Sequence, residues 1–71
     1  MSNLNRAFDK AKEIAKANKG FTYTECMGFL YLEGMLSDKE TESAENYFMS
    51  KNVNMEVILG RLTQNKIVGV N

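Results

Sequence analysis

The sequence predicts an all-α fold: a small single-domain bundle of four short helices, with a buried central second helix and a short extended C-terminus. Three observations predict it. Thr22 with Glu25 and Ser37 with Glu40 form two capping boxes, in which hydroxyl and carboxylate each accept a hydrogen bond from an orphaned backbone N–H. Apolar residues recur at helical spacing in four stretches. The 71 residues contain no proline to interrupt them.

The first helix starts at a cap supplied by Ser2 or Asn3 and runs to about Asn18. Leu4, Ala7, Phe8, Ala11, Ile14 and Ala15 share one face, and lysines occupy the other. Alanine dominates that face beyond Phe8, which lets another backbone approach closely but adds little buried area. Gly20 supplies the residue that ends the helix.

The second helix lies within FTYTECMGFLYLEGML, residues 21–36, with Thr22 as N-cap and Phe21 placed to staple onto Cys26. At about 100° per residue, Tyr23, Cys26, Met27, Leu30 and Tyr31 fall on one face, and Phe29, Leu32, Met35 and Leu36 on the opposite one. A helix apolar all round is buried in a core or spans a membrane. Spanning needs roughly 20 apolar residues, and Glu25 and Glu33 interrupt a stretch already too short. Gly28 and Gly34, each about 1 kcal/mol worse than alanine inside a helix, point to close backbone approach or, for Gly34, to a C-terminal cap with Leu36 folding back.

The third helix starts at the Ser37 box and runs to about Ser50, with a narrow stripe of Ala44, Tyr47 and Phe48 and with Met49 beside it. Asp38, Glu40 and Glu42 crowd its first turn, where the helix dipole favours negative charge. Asn54 caps the fourth helix, stapled by Val53 and Ile58; Met55, Ile58, Leu59 and Leu62 form its apolar stripe, and it ends near Gln64 or Asn65. Ile67, Val68, Gly69 and Val70 are expected to form a short strand or an extended arm over the bundle.

Composition narrows the function. There is no histidine and one cysteine, so neither a zinc site nor an internal disulfide is expected, and no cofactor is implied. Asp38–Ser43 begins like a calcium loop but has Ser43 where glycine and Met49 where glutamate is needed. Cys26 lies on an apolar face without a base to ionise it and reads as core. The five glycines form no phosphate-binding pattern. An enzyme is therefore not expected. One cysteine, no leader segment and no glycosylation sequon predict a cytoplasmic protein.

Net charge is zero but unevenly spread: +3 over residues 1–20, −5 over 21–50 and +2 over 51–71. A chain this short rarely gains more than about 3–5 kcal/mol from its core, and this one carries more apolar surface than an alanine-lined first helix can hide. The expectation is a small non-enzymatic regulatory, adaptor or inhibitor protein that binds another protein through a Met/Tyr/Phe surface and self-associates as a homo-oligomer. Its interface candidates are Phe29, Tyr31, Leu32 and Met35, with Ile67 and Val68 as a second contact.

Two resemblances bear on the partner. The ending VILGRLTQNKIVGV is similar in pattern to the recognition helix and first strand of winged-helix proteins. That implies a DNA-binding regulator reading a groove with Arg61, Gln64 and Lys66. Zero net charge leaves little counterion-release affinity for such a role. TYTECMGFLYLEGML followed by an acidic helix resembles, over about half the chain, the small helical late-transcription coactivators of T4-type phages. That resemblance implies a phage protein directed at RNA polymerase, although the acidic-apolar segment that ends those coactivators has no counterpart in Lys66–Asn71.

Overall fold

The computed structural model describes residues 2–64. It places four helices on them: α1 (Asn3–Ala17), α2 (Tyr23–Leu32), α3 (Asp38–Ser50) and α4 (Met55–Gln64). Among the described residues there is no strand. The arm expected at Ile67, Val68, Gly69 and Val70 lies outside them, as does Lys66.

Each start follows from a local cap. Ser2 Oγ accepts from the Asn5 N–H at 3.1 Å, and both capping boxes close reciprocally, at Thr22–Glu25 and Ser37–Glu40. Asn54 Oδ1 accepts from the N–H groups of Glu56 and Val57.

The ends of α2 and α3 share one device. Gly34 adopts φ +69°, the Gly34 N–H donates to Tyr31 O, and the Met35 N–H reaches back to Leu30 O at 2.9 Å, which is a Schellman motif. Asn52, at φ +53°, repeats it on α3, with the Val53 N–H donating to Phe48 O at 2.9 Å. The first turn stops α2 at Leu32, and the chain beyond it reverses direction. Leu36 consequently turns inward and is buried, whereas Leu32 and Met35, expected on the same face, stay exposed.

α2 packs against all three other helices, while α4 packs against α2 alone. Ala7, Ala11 and Ile14 of α1 meet Cys26, Met27 and Leu30 of α2 and Ala44 and Phe48 of α3 in a shared core. The small residues of α1 thus do what their size predicts. At the α1–α3 seam, an ion pair between the half-exposed Lys10 Nζ and the buried Glu40 Oε1 at 2.7 Å joins α1 to the start of α3. Tyr47 extends the seam, edge-on to Phe8 with ring centres 5.1 Å apart, its hydroxyl 3.3 Å from Thr24 Oγ1.

α4 is seated by Gly28. A Cβ there would lie 3.0 Å from Ile58 Cγ2 and 3.7 Å from Met55 Cε, so glycine allows the close approach. Gly28→Val is expected to cost about 2 kcal/mol by overpacking. In urea denaturation, combining it with Ile58→Ala should cost less than the sum of the two, because the second change vacates the space the first invades. Strict additivity would mean that α4 does not sit there.

Candidate functional site

An open groove of about 460 Å³ lies where α2, α3 and the start of α4 converge. Phe48 is buried at its base; Tyr31, Val53 and Met55 are half-buried around it; Glu45, Met49 and Asn52 form the exposed rim. The Schellman turn at Asn52 builds this corner, because it folds Val53 back toward Phe48 and aims the chain into α4. Tyr31 packs edge-on against Phe48 at 5.7 Å and donates its hydroxyl to Glu45 Oε2 at 3.0 Å. That hydrogen bond to a carboxylate pushes the Tyr31 pKa up, with desolvation and the Glu45 charge acting the same way. Met49 is the most exposed large apolar side chain described, at 76%.

The interface candidates divide between this groove and the neighbouring end of α2. Tyr31 lines the groove. Leu32, the last residue of α2, and Met35 lie open to solvent, and Phe29 is half-buried against the core. Ile67 and Val68 fall outside the described residues. Phe48, Met49 and Met55, part of the Met/Tyr/Phe surface expected from the sequence though not among its interface candidates, join Tyr31 in the groove; Met49 stands next to the Ala44, Tyr47 and Phe48 stripe and is exposed. Tyr23, Val57 and Leu59 are exposed as well.

Of the candidate nucleic-acid contacts, Arg61 is turned back onto its own chain. Its guanidinium pairs with Glu25 and donates to Gly20 O at 2.8 Å, and it lies over the Phe21 ring, 5.2 Å from the centre. It clamps α4 to the start of α2, where Glu25 also holds the capping box. Gln64 is the exposed last residue of α4.

Other chemistry is sparse. Cys26 is fully buried. Burial first, and then the charge of Glu25, pushes its pKa up, away from thiolate. Among the described residues no group of three or more His, Cys, Asp or Glu side chains could hold a metal ion. None of the described helices is long and apolar enough to cross a membrane.

Compared with known proteins, the chain matches no family model, no curated protein and no solved structure.

Proposed function

We propose that this protein is a small non-enzymatic binding module that engages another protein through the groove and the adjoining end of α2. The observation that carries the reading is the groove itself: an aromatic and thioether corner built by Tyr31, Phe48 and Met55, open to solvent, with Met49 standing over it. Methionine re-packs around different partner shapes, and tyrosine anchors interfaces at low entropic cost. Leu32 and Met35, at the same end of α2 as Tyr31, add exposed apolar side chains. A DNA-reading role finds less support, because Arg61, its leading cation, is held by Glu25, Gly20 and Phe21.

Photocrosslinking tests the reading. A benzophenone side chain at Met49 or Leu32 should capture a discrete partner band in the producing cell, and one at Lys12 on the opposite helix should not. Equal labelling from all three positions would refute a groove-centred interface.

A further inference from the structure

One face of α3 combines an apolar cavity with carboxylates that no cation balances among the described residues. Asp38, Glu42, Glu45 and Met49 follow one another at spacings of four, three and four, which brings them within about 60° of each other on the helix. All four are exposed. Glu45 and Met49 are the groove's rim, so the groove opens onto a carboxylate row two turns long. None of the three acids enters an ion pair among the described residues. Of the cations of α3 and its C-cap, Lys39 lies about 90° to one side of the row's centre and Lys51 about 150° to the other, and neither pairs with it.

We infer that the groove receives an amphipathic helix from a partner protein, whose large apolar side chain fills the Tyr31–Phe48–Met55 corner while lysines or arginines one and two turns along it meet Glu45, Glu42 and Asp38. This rests on the binding-module reading and adds the partner's chemistry to it. Basic charge is what the row selects, since like charge opposite it repels and a neutral segment leaves the steering unused. An apolar anchor with flanking charges at helical spacing is the pattern by which helices lie in grooves. A second copy of this chain fits the row less well. Its own basic helix, α1, turns Leu4 and Phe8 into the core and pairs Lys12 with Asp9 and Lys16 with Glu13, so it offers charge without a free anchor.

The test uses the full chain and three synthetic helical peptides of about four turns: one with a Leu/Phe face and lysines alongside, one with those lysines replaced by glutamates, and one with the apolar face replaced by serines. In an amide-resolved NMR titration, the basic amphipathic peptide should move Tyr31, Glu45, Phe48, Met49 and Val53 saturably. The acidic and serine versions should bind at least roughly tenfold more weakly. Glu42→Gln with Glu45→Gln should lower affinity for the basic peptide alone, and added salt should do the same. Met49→Ser, on a side chain outside the core, should weaken binding of the basic and the acidic peptide alike. Equal binding of the basic and acidic peptides, or shifts centred on α1 or α4, would overturn the inference, and so would sedimentation showing that two copies close this groove. Equal peptide binding or shifts elsewhere leave a groove-specific crosslink at Met49 intact, so the inference can fail while the binding-module reading stands; closure by a second copy would overturn both.

Discussion

Met27→Ala is expected to unfold most of the population at room temperature. Met27 is the largest side chain with no solvent exposure, and it sits on the helix that packs against every other helix. Truncating a buried methionine costs about 2–5 kcal/mol, through lost transfer free energy and the cavity left behind. In a chain of this length the whole net stability is about 3–5 kcal/mol, so a cost in the middle of that range consumes it. A far-ultraviolet circular dichroism melt should lose its cooperative transition or begin near the lower end of the accessible range. Met27→Leu, which preserves volume, should cost under about 1.5 kcal/mol. Leu32→Ala and Met35→Ala remove side chains that are 44% and 37% exposed, and should stay within about 0.5 kcal/mol of the parent. A Met27→Ala melt close to the parent's would place the core elsewhere. The contrast also has a functional use, because the exposed substitutions test binding without touching the fold.

The helix starts were legible because capping is local. Thr22 with Glu25, Ser37 with Glu40, Ser2 and Asn54 each act within three residues, and all four cap as their spacing implies. What the spacing could not carry was direction after a helix ends. A wheel drawn through to Leu36 groups Leu32, Met35 and Leu36 together, but the positive φ of Gly34 breaks the wheel and sends Leu36 into the core, away from the other two. The close approach hinted at by Gly28 was likewise readable, whereas Ile58 as the neighbour was not, since it depends on how α4 docks. Arg61 shows the same limit. Its partners Gly20, Phe21 and Glu25 lie about forty residues earlier in the chain, and they come within reach only because α4 runs back toward the start of α2. In the candidate site, Tyr31, Leu32 and Met35 followed from an excess of apolar surface on α2. Met49 and Met55 belonged to the expected Met/Tyr/Phe surface, but their place beside Tyr31 required the corner that Asn52 turns, where an asparagine in place of glycine takes the left-handed conformation.

The pH dependence of stability should be dominated, below neutrality, by Glu40. Its carboxylate is buried at the α1–α3 seam, accepts a hydrogen bond from Lys10 Nζ at 2.7 Å and closes the capping box by accepting from the Ser37 N–H at 2.8 Å. Lys10 chiefly, and then the Ser37 backbone, hold the Glu40 pKa down at about 2, against the ordinary 4.5, while burial pulls the other way. The folded chain therefore takes up this proton less readily than the unfolded chain does. The stabilisation is complete above about pH 4.5 and is lost progressively as pH falls toward 2. Because the Lys10 side chain is 46% exposed and solvent screens it, the loss is expected at about 2–3 kcal/mol rather than the full value of the shift. Glu40→Gln should lower stability at pH 7 by a similar amount and flatten the acid limb, since glutamine can keep the cap acceptor but offers Lys10 no charge. Lys10→Met should raise the Glu40 titration midpoint, read from its carboxyl carbon by NMR, back toward 4.5. If that midpoint already lies near 4.5 in the parent protein, the seam between α1 and α3 is held by packing alone and the acid limb must come from other carboxylates.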